Sequence, residues 1–372
     1  MAQGQTNIIF QTAFLGDLLL TIPLIRRLKK IDSESSLMLV CRPGFGDLFA
    51  RLNLVDDVLE LDKRNVTGLQ EFRDRLAHHH IRYLISVHRS VRTALALRTV
   101  QAEHKLSYHQ WWNRPFYDLR VPRDMRLPEA LRVLSLLAPI DPDIRELVEQ
   151  WSTNTEQNNL RLKSSILKWP KPIPDECHVR VAPNPAIAES VNNQLAHPFA
   201  VIAPSSQWST KCWTEEGYRR LAELMAERGL NVYLVGTRDE RDICDRISAS
   251  VNHDVMRSAN VEVRSLAGRF DLLHLHALMS QAQVVVANDS GPMHLAAVAG
   301  RPVVGIFGPT VLAQGYRPWS DQSAVIQTDL DCRPCGRHGH MKCPIGTHAC
   351  MKNITAEMVM QAVEQLTNQL SL

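Results

Sequence analysis

The chain has 372 residues, of which 45% are hydrophobic and 22% charged, and its formal net charge is +3. This is a globular composition, and the length predicts two domains. A nearly balanced charge argues against a nucleic-acid partner, because such proteins usually carry a dense basic surface. The polar start Met1–Thr6, followed by an apolar stretch broken at Asp17 and Pro23, predicts neither a secretory signal nor a membrane span. We therefore expect a cytoplasmic protein whose membrane contact, if any, is peripheral.

Strands and helices alternate in the first half of the chain. Strands are predicted at Asn7–Gln11, Leu37–Cys41, Val58–Leu61 and Tyr83–Val87. Helices are predicted at residues 17–30, after Gly46, and at residues 69–79 and 128–137. Pro23 lies inside the first of these helices, which therefore either begins late or kinks. This alternation predicts βαβ units on a parallel sheet.

The rhythm is lost over residues 141–176, where Pro170, Pro172 and Pro174 impose an extended backbone. It resumes after Pro198. Strands are predicted at Ala200–Pro204, Asn231–Val235, Val284–Ala287 and Val303–Phe307, and helices at residues 214–227, 240–251, 272–281, 292–299 and 356–370. We expect one domain at residues 1–180, a second at 198–352 and a C-terminal helical segment at 353–372, with a linker near residues 192–197.

Ligands of open α/β sheets bind beyond the carboxyl ends of the strands, so polar residues there are the functional candidates. Neither G-x-x-x-x-G-K-[ST] nor G-x-G-x-x-G occurs, which disfavours a P-loop ATPase or a standard dinucleotide dehydrogenase. The segment Asn288–His294 joins a predicted strand to a predicted helix. The backbone N–H groups of Ser290 and Gly291, together with the helix dipole, predict an anion site there, and capping by Asp289 or Ser290 is compatible with it.

Three further charged residues follow other predicted strands. Lys211 lies in the polar loop Ser205–Lys211 and can neutralise a diphosphate, although a lone loop lysine is usually just solvated. Glu240 can accept hydrogen bonds from a ribose diol, or it can simply begin a helix. Asp17, on the first strand-to-helix turn, is the best candidate for a general base, and N-capping is its alternative role.

Together these segments resemble glycosyltransferase family 9, the ADP-heptose:lipopolysaccharide heptosyltransferases. The matching stretches are Gln11–Leu18, Pro204–Trp213, Val235–Thr237, Asn288–Thr310 and the cysteine-rich tail that ends in Cys350-Met351. The resemblance implies a GT-B fold, with two Rossmann-like domains whose parallel sheets face each other across a cleft. It places the acceptor in the N-terminal domain and the nucleotide-sugar in the C-terminal one, with the last helix packing back on the N-terminal domain.

The resemblance also implies an activity and a set of roles. The reaction would be inverting, metal-independent transfer of heptose from ADP-heptose to the inner core of lipopolysaccharide, with Asp17 as the general base. The implied donor site consists of Ser205, Thr210, Lys211, Glu240, Asp289, Ser290, Gly291 and His294. Lys211 and the Ser290-Gly291 helix terminus would hold the diphosphate, and Glu240 the ribose. Within this family, the overall appearance of the sequence favours the enzyme that adds the second heptose.

The acceptor would be a lipid A–core saccharide, and its anionic groups suit arginine forks. His88, Arg89 and Arg92, at the end of a first-domain strand, are the expected contacts, while a solvated helix start is equally compatible with Arg92. The run His78–His80 is expected to be a solvated helix terminus rather than a metal site. We expect a monomer that needs no cofactor for its chemistry.

Four of the eight cysteines, Cys332, Cys335, Cys343 and Cys350, lie close together near the C-terminus. Their spacing is compatible with a structural zinc site in a reducing compartment, and His338, His340 and His348 could substitute as ligands. An iron–sulfur site and reversible disulfides are the alternatives.

Two rival functions remain open from the sequence. One is a GT-B glycosyltransferase that uses a different nucleotide-sugar, and the other is a non-catalytic, zinc-containing binding protein. The presence of both Asp17 and Lys211 favours an enzyme over the binding protein.

Overall fold

The computed structural model describes residues 5–62, 72–153, 166–168 and 172–367. The chain divides into two compact units. The first is formed by Met1–Asn158 and Pro174–His178, and the second by Asn159–Ile173 and Val179–Leu372. No helix in the described ranges is long and apolar enough to cross a bilayer.

The described strands of the first unit form a six-stranded parallel sheet. They are β1 (Gln5–Phe10), β2 (Ser36–Cys41), β3 (Asp57–Glu60), β4 (His80–Ser86), β5 (His104–Tyr108) and β6 (Leu119–Val121). Their order is β3-β2-β1-β4-β5-β6, so the direction of strand addition reverses between β1 and β4. This is the strand order of a Rossmann fold, in which that reversal opens a crevice at the carboxyl edge. Near-continuous burial of β1, β2 and β4 accounts for their apolar runs.

Helices connect these strands. Their described bounds are Leu15–Leu19, Ile22–Ile31, Gly46–Arg51, Val91–Leu97, Glu129–Leu134 and Pro142–Thr153. The helix predicted at residues 17–30 is broken into two, because the chain bends at Leu20 and Thr21 and Pro23 lies in the first turn of the second helix. Of the helix predicted at 69–79, residues 72–76 are helical and residues 69–71 lie outside the described part.

Helix Pro142–Thr153, which the sequence analysis missed, is fixed by a buried ion pair. The guanidinium of Arg27 donates to both carboxylate oxygens of Asp141, with Nε–Oδ2 at 2.5 Å and Nη2–Oδ1 at 2.9 Å. The two side chains are 9% and 3% exposed. Asp141 Oδ1 also accepts from the N–H groups of Asp143 and Ile144, so one carboxylate both caps this helix and joins it to helix Ile22–Ile31.

The second unit repeats the same topology. Its described strands are β7 (Ile166–Lys168), β8 (Phe199–Ala203), β9 (Asn231–Leu234), β10 (Val263–Ser265), β11 (Val284–Asn288), β12 (Val303–Phe307) and β13 (Ser323–Gln327). Their order is β10-β9-β8-β11-β12-β13-β7. Strands β8 to β13 are parallel, and β7 adds an antiparallel edge beside β13. The direction of strand addition reverses between β8 and β11.

The helices of the second unit pack on both faces of its sheet, as the parallel strands require. Their described bounds are Pro185–Asn192, Glu215–Ala226, Arg241–Ser250, His253–Ala259, Leu272–Met279, Gly291–Val298, Ala349–Lys352 and Ala356–Thr367. The predicted α/β class with parallel sheets is thereby confirmed.

The domain boundaries differ from the predicted ones in two places. Part of the predicted first domain, residues 1–180, belongs to the second unit, because β7 pairs with β13 in the second sheet. Pro170 and Lys171 lie outside the described residues. The segment predicted to pack on the N-terminal domain belongs instead to the second unit. The apolar residues of helix Ala356–Thr367 join the core formed with helix Glu215–Ala226, and Arg228 pairs with Glu364 at 2.5 Å.

The Arg27–Asp141 pair generates a stability prediction. Asp141→Ala leaves the buried Arg27 without its buried partner, with only the exposed Asp143 beside it, and should lower the free energy of unfolding by about 3–5 kcal/mol. Arg27 holds the pKa of Asp141 below its ordinary value, so this stabilisation is present above about pH 4 and is lost as the pH falls through the folded-state pKa. Urea unfolding at pH 7 and pH 3 measures both effects.

The control for this variant is Asp143→Ala, which removes a carboxylate that also contacts Arg27 but is 81% exposed. Its cost should stay below about 1 kcal/mol. Equal losses in the two variants would contradict the structural role of the buried pair.

Candidate functional site

The first candidate site lies at the reversal point of the second sheet. Strands β8 and β11 are neighbours there, with Ala203 opposite Ala287, so the loops that follow them leave the same edge side by side. These loops are residues 204–213 and 288–290. They contain most of the predicted donor-binding residues, so the strand order brings together positions about 80 residues apart.

Asn288 joins the two loops. Its amide donates to the carbonyl of Pro204 at 2.7 Å and accepts from the N–H of Trp213 at 3.0 Å and the hydroxyl of Tyr218 at 2.8 Å. The side chain is fully buried. A buried amide with three partners fixes both loops because each unmade bond would leave a desolvated polar group.

Asp289 holds Lys211 in place. Lys211 Nζ lies 2.6 Å from Asp289 Oδ2 and 3.3 Å from the Asp289 carbonyl, and Thr310 Oγ1 donates to the same carboxylate oxygen at 2.7 Å. The side chains of Lys211 and Asp289 are 12% and 6% exposed. An ammonium has three donors, so one remains available for an anion after these two contacts.

The helix Gly291–Val298 begins directly after this ion pair. Ser290 is its N-cap residue, with an extended backbone and a hydroxyl that donates to the Asn288 carbonyl at 3.2 Å rather than capping the helix. Pro292 occupies the first turn. The early N–H groups of the helix lack a side-chain cap, and this arrangement with the helix dipole favours an anion beside Lys211.

Two buried polar atoms at this edge make no hydrogen bond to any described residue, namely Ser205 Oγ and His294 Nδ1. Burial lowers the pKa of His294 to about 4, with opposing smaller effects from Asp289 and Lys211. His294 is therefore neutral at pH 7. Unsatisfied buried polar groups are uncommon in native proteins, and here they mark a place for a polar ligand.

Thr210 contacts the cysteine-rich segment rather than the edge itself. Its hydroxyl donates to the carbonyl of His340 at 2.6 Å and accepts from the N–H of His340 at 2.7 Å. His348 Nε2 donates to the carbonyl of Thr210 at 2.9 Å. The hydroxyl predicted to bind donor thus anchors residues 340–348 to the loop that carries Lys211.

The same segment brings His338 towards the site. Its ring stacks on Trp208, with ring centroids 6.2 Å apart and planes inclined by 9°. Burial lowers the pKa of His338, and Arg337 and Lys211 lower it further. From the sequence, His338 is predicted only as a substitute metal ligand, because spacing does not reveal the pairing of residues 338 and 208.

The predicted metal site at the four clustered cysteines is not supported. Within the described ranges no group of three or more His, Cys, Asp or Glu side chains is arranged to hold a metal ion, and none of the eight cysteines forms a disulfide. The thiols have different environments. Cys335 Sγ donates to the carbonyl of Cys332 at 3.0 Å, the N–H of His348 donates to Cys343 Sγ at 3.4 Å, and burial raises the pKa of Cys350 to about 11.

Glu240 follows β9, on the other side of β8 from Asp289. Its Oε2 accepts from the N–H of Thr237 at 2.7 Å in a capping box, so the helix-starting role is present. The carboxylate is partly exposed and keeps acceptor capacity for a ligand diol.

The second candidate site lies at the reversal point of the first sheet, between β1 and β4. The loop after β1 is joined to the loop after β4 by His88, whose Nε2 accepts from the backbone N–H of Thr12 at 2.8 Å. The ring nitrogen predicted to bind an acceptor therefore holds the turn that leads to Asp17. Asp17 is partly exposed in the first turn of helix Leu15–Leu19, where Phe14 is the N-cap, so N-capping is not its role.

The two arginines predicted beside His88 are exposed at the same edge. Arg89 lies on the loop after β4, and Arg92 lies in the first turn of helix Val91–Leu97, which Ser90 caps through the N–H of Thr93. The run His78–His80 belongs to a turn and the start of β4 rather than to a helix end. His79 contacts Thr6, and His80 lies 3.2 Å from Glu103.

In both sites polar residues converge where a Rossmann-like sheet reverses, which places the chain in the class of open α/β proteins that bind ligands at such a crevice. The chain belongs to glycosyltransferase family 9 (heptosyltransferase), whose family model matches residues 70–345.

Among curated proteins, the chain is similar to lipooligosaccharide heptosyltransferase 2 of Campylobacter jejuni, with 29% identity over 161 residues. This match covers 43% of the chain and 48% of the relative, so the chain spans about half the length of this curated relative.

Two solved structures share the fold over the whole chain. A family 9 glycosyltransferase from Veillonella parvula matches with a TM-score of 0.77 at 18% identity, covering 99% of this chain and 98% of that one. The ADP-heptose lps heptosyltransferase II of Escherichia coli matches with a TM-score of 0.74 at 19% identity, covering 99% and 100%. These matches confirm the predicted GT-B fold class.

Buried His294 gives a prediction for acid stability. Its folded-state pKa of about 4 lies below the unfolded value of about 6.5, so the unfolded state binds the extra proton and stability falls between these two pH values. His294→Gln should remove on the order of 3 kcal/mol of this acid sensitivity. Urea unfolding of both proteins at pH 7 and pH 4.5 measures it, and an identical pH dependence would refute the buried neutral imidazole.

Proposed function

We propose that this protein transfers heptose from ADP-heptose to the inner core of lipopolysaccharide, with inversion at the anomeric carbon and without a catalytic metal. Membership of glycosyltransferase family 9 supports the reaction class. The observation that carries the donor assignment is the Lys211–Asp289 pair beside the start of helix Gly291–Val298. It offers a cation and a helix N-terminus to one anion.

In this proposal the second unit binds the donor. Lys211 and the backbone N–H groups of Ser290 and Gly291 hold the diphosphate, and Glu240 accepts from the ribose. As the bond to the anomeric carbon breaks, negative charge grows on the departing diphosphate while the sugar becomes oxocarbenium-like. Donors fixed in advance favour that state over the ground state, because they need no reorganisation as the charge develops.

The remaining polar groups of this edge complete the proposed donor site. Ser205 Oγ and the neutral His294 are unsatisfied by described residues and are suited to hydrogen bonds with the sugar or phosphates. Asp289 orients Lys211 and can contact the heptose or the diphosphate. Thr210 acts indirectly, since its hydroxyl is bonded to His340.

The first unit binds the acceptor in this proposal. Asp17 serves as the general base and takes the proton of the attacking hydroxyl as that oxygen becomes acidic. Arg89 and Arg92, exposed at the same edge, suit the phosphates or carboxylates of an inner-core saccharide. His88 positions the turn before Asp17 through Thr12. We further propose a monomer that works at the cytoplasmic face of the inner membrane and adds the second heptose.

The test is incubation of the protein with ADP-heptose and defined truncated core acceptors, followed by mass spectrometry. We expect a product heavier by one heptose with an acceptor that already carries the first heptose. Transfer from another nucleotide-sugar, with none from ADP-heptose, would show that the donor is a different nucleotide-sugar. Donor binding without transfer to any acceptor would favour a non-catalytic binding protein.

Asp17→Asn tests the proposed base. The variant should fold and bind donor normally but lose about 10²–10⁴-fold in turnover, the usual contribution of a general base. Asp47→Asn is the matched control, because Asp47 also lies in the first turn of a helix that follows a strand of this sheet and is 68% exposed. Near-normal turnover of Asp17→Asn would refute the assignment.

A further inference from the structure

The first unit exposes apolar side chains in an unusual pattern. Of the eight large hydrophobic side chains that are exposed in the described part of the chain, five lie on the loops or helices that follow the carboxyl ends of first-unit strands. They are Phe14 (45%), Val91 (51%), Leu95 (50%), Trp111 (89%) and Met125 (55%). Exposed apolar side chains that lie together in one region mark an interaction surface, whereas single scattered ones do not.

The topology places these side chains along one edge. Phe14 follows β1, Val91 follows β4, Trp111 follows β5 and Met125 follows β6. These four strands are consecutive neighbours in the sheet. Strands lie about 4.8 Å apart, so their ends span roughly 15 Å. We call this set the apolar edge.

Hydrogen bonds from buried polar side chains fix the two loops that carry Trp111 and Met125. Asn113, 1% exposed, accepts from the N–H of Gln110 and donates to the carbonyl of Tyr108, which closes the turn that carries Trp111. Arg132, also 1% exposed, donates to the carbonyl of Met125 at 2.9 Å and fixes that loop. The exposure of Trp111 and Met125 therefore follows from a fixed backbone.

Arginines lie beside the side chains of the apolar edge. Arg92 and Arg114 are exposed, and neither forms an ion pair with a described residue. The guanidinium of Arg42 lies 5.1 Å from the ring centre of Phe14. The acidic Asp124 on the same edge is already paired with Arg126 at 2.7 Å. The edge thus presents apolar side chains together with more arginines than acids, the acids being Asp17 and Asp124.

We propose that the apolar edge docks on an anionic lipid bilayer, with Trp111, Met125 and Leu95 in the interface and Arg114 against the headgroups. Charge complementarity argues for this occupant, since basic side chains beside interfacial tryptophan bind anionic lipid surfaces. The inference rests on the proposed function, because Asp17 and the acceptor arginines lie at this same edge. Docking there would hold the acceptor site against the membrane that carries a lipid-anchored saccharide.

Co-sedimentation of the full chain with large unilamellar vesicles tests the docking. We expect binding to vesicles of phosphatidylglycerol and phosphatidylethanolamine that weakens with added salt, and far weaker binding to phosphatidylcholine. Trp111→Ser should reduce the partition coefficient roughly tenfold or more, and Arg114→Gln about fivefold. Ile31→Ser is the control. Ile31 is 38% exposed but ends a helix that runs back from the carboxyl edge, and this variant should bind like the wild type.

Absence of vesicle binding, equal binding to neutral and anionic vesicles, or wild-type binding by Trp111→Ser would each overturn the proposal. An assay of heptose transfer to a soluble, delipidated core oligosaccharide distinguishes failure of the docking proposal from failure of the proposed function. Trp111→Ser should keep wild-type rates in that assay, and a loss there would mean that Trp111 binds saccharide instead of lipid. Vesicle binding by a protein that transfers no heptose would refute the proposed function alone.

Discussion

The candidate donor site depends on the ion pair that the buried carboxylate of Asp289 forms with Lys211. The carboxylate receives Lys211 at 2.6 Å and Thr310 at 2.7 Å, which joins the loops after β8, β11 and β12 at one oxygen. Without this carboxylate, the long side chain of Lys211 would rotate freely on its polar loop and would not be fixed at the helix N-terminus. The neighbouring Asn288 fixes the backbone around the pair, so the lysine is oriented before any ligand arrives.

The topology provides this constraint in both units. Each sheet grows in one direction from its first strand and then in the other, so two loops distant in sequence leave the same edge together. The second unit uses the reversal for an ion pair and a helix start. The first unit uses it for the His88–Thr12 hydrogen bond, which holds the turn before a partly exposed acid. One architecture thus supports an ion pair beside a helix start in one unit and a carboxylate with exposed arginines in the other.

The sequence predicted much of this and missed what depends on distant pairing. Buried strands such as β2 and β11 are continuous apolar runs and were found within a residue or two. Helix Pro142–Thr153 was not predicted, although Ile144, Leu147, Val148 and Trp151 have helical spacing, because the prolines around it are typical of irregular structure. The edge strand β7 has three residues, and its partner β13 lies about 160 residues away, so no local signal moves it into the second sheet.

The candidate site shows the same division. The residue types at strand ends pointed to Lys211, Asp289 and Asp17, whereas the partner of each polar atom could only come from coordinates. The sequence predicts Thr210 as a ligand contact, but its hydroxyl is bonded to His340, about 130 residues further on. The cysteine spacing suggested a metal, yet the thiols bond to nearby backbone groups. Spacing limits which residues can meet, but it does not determine where their side chains point.

Calorimetric titration of ADP into the wild type and Lys211→Met tests the central claim most directly, with adenosine as the reference ligand. If the oriented lysine holds the diphosphate, the variant should lose roughly tenfold to a hundredfold in ADP affinity, as expected for a hydrogen bond to a charged group, while its affinity for adenosine stays unchanged. Equal ADP affinity in the two proteins would contradict the account.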